Sequence, residues 1–344
     1  MSLPPSEIPL GAMRFNSDSN KLEYWDGSAW FQIKTFSPNL DGGTRGIIAG
    51  GGNYPNETNT IQFLTISTQG NTTDFGDLTQ KREGIGGMSN TTRAAFSQGG
   101  NYAAPLYDII DFVTISSTGN ATDFGDANDS VREVTSAGSN HIRGLTAGGY
   151  SDGSNSNTDR IGVIEFSTTG NAQDFGNLVN GVREAFSGII STGVRGFNCG
   201  GVSPSFTDTI NMITIHTYGD AVDFGDLIKV GRNGAAVGNS IRGYTLGYSG
   251  PSDTHTTEIQ KFNLITGGKA VETGECVVTR QSVGVSSPTR GVGMGGYNPS
   301  PAGNGSTNME YIDLTSEGNS VDFGDLTEGV ELAGGASNAH GGLG

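Results

Sequence analysis

The feature that most constrains this chain is an octet that returns at a fixed interval. Residues 119–126 read GNATDFGD, with near-copies GNTTDFGD at 70–77, GNAQDFGN at 170–177, GDAVDFGD at 219–226 and GNSVDFGD at 318–325. A sixth, weakened copy, KAVETGE, lies at 269–275. The aromatic of each copy marks the period: Phe75, Phe124, Phe175, Phe224 and Phe323, with Thr273 in the altered copy, separated by 49, 51, 49, 49 and 50 residues. A catalytic loop is needed once, whereas six tandem copies at about 50 residues are the signature of four-stranded units stacked in an array or ring.

Each copy carries four short segments in one order. A small-residue segment follows an arginine, as in REGIGGMS at 82–89 and REVTSAGS at 132–139, and a second segment opens with arginine and ends in glycines, as in RGIIAGG at 45–51 and RGLTAGG at 143–149. The most apolar segment comes third, as in IQFLTI at 61–66 and IDFVTI at 110–115, and the octet closes the unit. Short runs rich in Ile, Val, Thr and Phe between turn residues read as strands. With 57 glycines, 33% hydrophobic and 16% charged residues, composition favours this over helices or disorder. The glycines at 70, 119, 170, 219, 268 and 318, mostly followed by Asn or Asp, predict tight two-residue hairpins between the third and fourth strands. The octet Phe is expected to pack between units and the small-residue strand to lie innermost.

The first copy lacks its small-residue strand, while the C-terminus carries a spare one, ELAGGAS at 331–337. The two ends are therefore expected to share one sheet, which removes the open edges of a linear array. The order arginine, small strand, glycine pair, apolar strand, aromatic is similar to that of kelch-type propellers, over residues 37–344. That resemblance implies an all-β fold: a six-bladed kelch-like β-propeller closed by its N- and C-terminal strands. It implies no single function, since such rings host both scaffolds and enzymes.

Residues 1–36 stand outside the repeat and hold both tryptophans, Trp25 and Trp30. Turns at 16–20 and at Asp26-Gly27, amid Met13, Phe15, Leu22, Tyr24 and Phe31, read as a small β-meander that must dock or self-assemble to be stable. The stretch GAMRFN…NKLEYWDGSAWFQI, together with the tandem GNATDFGDL units, resembles bacteriophage tail-fibre and virion structural proteins of marine and T4-like phages. The resemblance implies a virion appendage made in the host cytoplasm. Its N-terminal module would join other virion or tail proteins, by trimerising or by docking to a fibre, and its ring would be displayed toward a host-surface glycan or outer-membrane protein.

Eleven of the 19 basic residues and eleven acids occupy repeated positions, which predicts Arg–Asp bridges within each unit; repeated cation sites at paired aspartates are the rival reading. The four histidines and two cysteines form no recognisable metal or nucleophile motif, so neither a catalytic residue, a metal nor a cofactor is assigned. Cys199 and Cys276 are expected as free, buried thiols. The net charge of −16 argues against nucleic acid, and no stretch is apolar enough to insert in a membrane. Variable loops follow each glycine pair, and five place a tyrosine near it: Tyr54, Tyr102, Tyr150, Tyr248 and Tyr297. Tyrosine amid Ser, Asn and Gly suits adaptable recognition, so these five are the ligand-binding candidates. The expected function is host adhesion without catalysis; a carbohydrate-active enzyme or a purely structural decoration protein is the alternative.

Overall fold

The structure, a computed structural model, describes residues 8–16, 21–32, 44–53, 55–101, 105–277, 280–299 and 302–343. The chain divides into Met1–Asp41 and Gly42–Gly344. The boundary read from the sequence, 36/37, lies outside the described residues.

In the first unit, strands Met13–Asn16, Lys21–Trp25 and Trp30–Gln32 form an antiparallel meander. Gly27 takes φ +100°, and the Asp26 carboxylate accepts from the amides of Ser28 (2.8 Å) and Ala29 (2.7 Å), which closes the second turn. The first turn, at 17–20, lies outside the described residues. Register puts Met13, Phe15, Tyr24 and Phe31 on one exposed face. On the other, Trp25 meets Trp30 at 5.5 Å and Arg14 covers Trp30 at 4.2 Å.

The second unit is all-β apart from two single-turn 3-10 segments among its described residues. Its strands pair as six antiparallel groups of four, one per sequence repeat. The first group illustrates the order: Gly334–Ser337, Arg45–Ala49, Thr60–Thr65, Thr73–Asp77. Its inner strand comes from the C-terminus, with Ile47 opposite Ala336 and Ala49 opposite Gly334, as the missing first segment requires.

The six groups are not separate sheets. In the fourth repeat the innermost strand breaks into Ser187–Gly188 and Ile190–Ser191, and Ser187–Gly188 pairs in parallel with Ala235–Gly238 and Ser282–Ser286. The fifth and sixth repeats thereby join in one continuous ten-stranded sheet. Gly188, at φ +136°, permits this crossing, because a Cβ there would stand 2.8 Å from the Gly284 carbonyl. The following Ile189 is buried with Ile47, Ala94 and Ala336 of the first and second repeats, so the centre among the inner strands is filled.

The apolar core lies between repeats rather than within them. Phe75 packs with Val113 and Ile115 of the second repeat, Phe124 with Ile164 and Phe166 of the third, Phe175 with Ile213 and Ile215 of the fourth. The set closes with Phe323 against Leu64 and Ile66 of the first. With both faces of a sheet covered this way, clean apolar–polar alternation is not required of its strands.

The octet does not make the tight hairpin expected of it. Its Gly-Asn pair reaches sideways to the preceding repeat: Gly119 N–H donates to Phe75 O (2.7 Å), Gly170 to Phe124 O (2.7 Å), Gly219 to Phe175 O (2.9 Å) and Gly70 to Phe323 O (2.8 Å). The Asn carboxamide adds a second link, with Asn120 Oδ1 accepting from Asp77 N (3.1 Å), Asn171 Oδ1 from Asp126 N (3.1 Å) and Asn71 Oδ1 from Asp325 N (3.0 Å). The octet recurs because each copy is the docking surface of the next, and the sixth returns to the first.

The bridges predicted between the repeated arginines and the octet acids do not form among the described residues, whose ion pairs use other acids, such as Asp111 with Arg82 and Asp152 with Arg132. Instead the arginine opening each second strand spans to carbonyls at the end of the next repeat's third strand. Arg45 reaches Ile115 O (2.9 Å), Arg143 Ile215 O (3.1 Å), Arg195 Leu264 O (3.2 Å), Arg242 Leu314 O (3.1 Å), and Arg290 Ser67 O (2.9 Å). A guanidinium directs several donors at once, which suits it to strand-end carbonyls that have no ladder partner.

Candidate functional site

The inner strands begin at a mouth encircled by the variable loops. Six positions form its rim, one per repeat: Glu331, Glu83, Arg132, Arg183, Arg232 and Arg280. The first five exchange backbone hydrogen bonds with the residue that starts the neighbouring loop, Gly52, Gly100, Tyr150, Val202 or Ser249, and Arg280 O accepts from Tyr297 N (2.9 Å). Arg82 is not in this ring, although the sequence aligns it with Arg132. It is fully buried, paired with Asp111 at 2.9 Å and bonded to Phe96 O at 3.1 Å.

Just inside the rim, Leu332, Gly84, Glu133, Glu184, Asn233 and Gln281 all take positive φ, between 55° and 67°. Their amides link around the mouth: Glu184 N to Glu133 O (3.2 Å), Asn233 N to Glu184 O (2.8 Å), Leu332 N to Gln281 O (2.9 Å) and Gly84 N to Leu332 O (2.8 Å). Left-handed backbone at five non-glycine residues costs energy at each, and such strain persists where the surroundings fix it. The cavity they line measures about 20 Å³. That is room for one or two waters, not for a substrate.

The rim is polarised. Four arginines occupy the third to sixth repeats and two glutamates the first and second. Aromatic rings from the loops lie under the arginines: Tyr150 under Arg132 (5.3 Å) and Arg183 (4.7 Å), Phe206 under Arg232 (5.3 Å), Tyr297 under Arg280 (4.4 Å). Glu184 bonds Arg232 at 2.5 Å, Glu133 lies 3.8 Å from Arg183, and Arg132 pairs with Asp152 at 3.4 Å.

The carboxyl groups here hold their protons unusually well. Burial pushes Glu133 up to about 7, with Glu184 adding repulsion. Burial does the same for Glu83, reinforced by Glu331 and Glu57, and for Glu331, where Arg280 opposes it; both reach about 7. Near neutrality the glutamate sector therefore exchanges protons.

The five tyrosine candidates separate. Tyr150 and Tyr297 stand at the mouth, half-buried beneath arginines. Tyr54 and Tyr102 lie outside the described residues. Tyr248 must be corrected: it occupies the second-glycine slot of its repeat and is buried against Phe186 (5.8 Å), its hydroxyl donating to Glu258 (2.9 Å). Phe206, which carries the same stacking role as Tyr150, was missed because it sits four residues further along its loop. The loops themselves are less irregular than expected, since Tyr150–Ser151 pairs with Ser156–Asn157 and Val202–Ser203 with Ser205–Phe206 as short hairpins.

The other end of the inner strands is closed by the C-terminal tail. His340 is buried, its Nε2 2.9 Å from Ser89 O, and Gly342 N donates to its Nδ1 at 3.1 Å. Burial holds this imidazole down at about 4, so it is neutral. Neither Cys199 nor Cys276 is in a disulfide; both are buried, and burial raises both thiols. Among the described residues no cluster of acids, histidines and cysteines is arranged to hold a metal ion, and no helix is long and apolar enough to cross a membrane. No protein-family model and no curated protein matches the chain.

Proposed function

We propose that residues 37–344 form a six-bladed, kelch-like β-propeller that acts as a non-catalytic binding module, engaging a host-surface glycan or outer-membrane protein through the loop-bearing mouth. The six groups of four strands, the inter-repeat clasps that return from sixth to first, and the C-terminal strand beside Arg45–Ala49 support the propeller. The observation that carries the binding role is the mouth: arginines backed by Tyr150, Phe206 and Tyr297 surround a cavity of about 20 Å³, so contact is made across the rim and not inside a pocket. The resemblance to phage tail-fibre and virion proteins supplies the setting, a virion appendage.

The exposed apolar face of the N-terminal meander, with Met13, Phe15, Tyr24 and Phe31, supports its role in joining virion or tail partners, as a homotrimer or on a fibre. Several rings on one particle would turn weak single contacts into firm adsorption through effective concentration. The test is competition: excess soluble protein should block adsorption of the parent particle to host cells, and Arg183→Ala with Tyr150→Ala should abolish the block. Unchanged adsorption under saturating soluble ring would refute the adhesion reading.

A carbohydrate-active enzyme is the second reading, favoured by one observation: Glu133 beside Glu184 is held at about 7, as suits a general acid. It predicts glycan cleavage that Glu133→Gln abolishes.

A further inference from the structure

The sixfold pattern fails at one place where a cavity opens. On the third strand, the position before the last inward-facing pair is Phe63, Phe112, Met212, Lys261 or Tyr311 in five repeats, but Val163 in the third. Phe63 and Phe112 fill their sites edge-on against the octet rings Phe75 and Phe124 (5.9 and 5.8 Å). Val163 is too short to do so. Tyr218, from the fourth repeat, partly compensates: it stacks on Phe175 at 5.0 Å beneath Arg143 and remains half exposed. Its counterparts elsewhere are Gln69, Thr118, Thr169, Gly267 and Glu317, so the tyrosine is specific to this site.

What remains open is a cavity of about 290 Å³ beneath the connection between the third and fourth strands, lined among others by Val163, Glu165, Thr168, Asn171, Gln173 and Tyr218. That volume is at the lower bound of small-molecule sites. Its lining is a mixed set of donors and acceptors. The Tyr218 hydroxyl donates to Gln173 Oε1 (2.9 Å) and Asn171 Oδ1 accepts from Asp126 N (3.1 Å), which orients both amide groups and leaves their N–H donors for a ligand. Thr168 offers a hydroxyl and Glu165 a carboxylate, the latter 3.6 Å from Arg143 Nε. Glu165 disfavours an anion and Arg143 a cation, while an apolar ligand would strand the amides and hydroxyl unpaired.

We propose that this cavity binds a neutral saccharide, one pyranose ring in size, with the edge of Tyr218 against the ring's apolar face and Glu165, Gln173 and Asn171 on its hydroxyls. The site lies away from the loop-bearing mouth and does not depend on the adhesion reading.

The test is saturation-transfer and protein-shift NMR titration of the full chain with glucose, galactose, mannose and N-acetylglucosamine, beside glucuronate and glucosamine as charged comparisons. At least one neutral sugar should bind with a Kd on the order of millimolar. Val163→Phe with Tyr218→Thr, which recreates the arrangement at the second repeat, where Phe112 meets Phe124 and Thr169 comes from the following repeat, should fill the cavity and abolish binding with circular dichroism unchanged. Gln173→Ala, an exposed change that leaves the core intact, should weaken it about tenfold, the loss of one directed hydrogen bond. Arg183→Ala at the mouth should leave it unaltered. No binding by any neutral sugar at tens of millimolar, wild-type affinity in the first two variants, or tighter binding of a charged sugar would each overturn the proposal.

Discussion

If each octet is the docking surface of the next, two glycines of one junction should respond differently to the same methyl group. Gly125 and Gly170 face each other where the second repeat meets the third, with φ of +143° and +147°. Alanine at either loses the conformational freedom that glycine has there, a cost of about 1–3 kcal/mol. A Cβ on Gly170 meets nothing within 4 Å, whereas a Cβ on Gly125 would stand 2.5 Å from Gly170 C and 2.6 Å from its oxygen. The obstacle is backbone held by the Gly170 N–H to Phe124 O bond, so it cannot turn aside. Forced repacking of that kind adds about 1–3 kcal/mol. Gly125→Ala should therefore lose more than Gly170→Ala by that amount, several degrees in Tm for a unit this size. Scanning calorimetry of the two variants against the parent measures the difference. Equal losses, or a larger loss at Gly170, would refute the idea that the octets interlock by backbone contact.

Other expectations follow from the same geometry. Asp111→Ala leaves Arg82 charged and fully buried without its partner, and should cost about 3–5 kcal/mol in denaturant titration. Glu83, Glu133 and Glu331 are raised from 4.5 to about 7, so their contribution to stability is complete below pH 4.5 and is lost as pH rises through about 7. Glu133→Gln should flatten the fall in Tm between pH 5 and 8. His340 has the opposite sign, lowered from 6.5 to about 4, so its share is present above pH 6.5 and lost as pH falls toward 4. His340→Asn should blunt that acid-side loss. The buried, raised thiols of Cys199 and Cys276 should stay unreactive toward a disulfide reagent in the native protein and react at once in denaturant.

Much of the architecture was legible because a repeat writes the same physical demand six times. Period, strand order and the spare C-terminal segment follow from counting, and the Gly334–Ser337 pairing with Arg45–Ala49 is what that count requires. What misled is what one strand's sequence cannot hold. Gly-Asn is the chemistry of a tight turn and also of a flat, carbonyl-seeking edge, and only the neighbouring repeat decides between them. Repeated arginines and octet acids in equal number suggested pairing, but the guanidinium groups that open the second strands found carbonyls on the adjacent repeat.

The site was read less well for the same reason. Motif matching groups Arg82 with Arg132, and Tyr248 with Tyr150 as the tyrosine beside the glycines, but each stands one residue out of register and lies in the core instead. Nothing local distinguishes them, since burial is set by partners such as Asp111 and Phe186 that lie 29 and 62 positions away in the chain. The broken inner strand at Ser187–Gly188 had no sequence signal beyond one glycine among many.

Amide hydrogen exchange tests the closure of the ring most directly. The account predicts that Ile47–Ala49, Gly70 and Thr72 and the C-terminal Gly335–Ser337 are protected to the same degree as the corresponding strand of the second repeat, Ala94–Phe96, and exchange as one cooperative body. Fast exchange confined to the first repeat and the C-terminal strand, with the inner repeats still protected, would show an open array and contradict it.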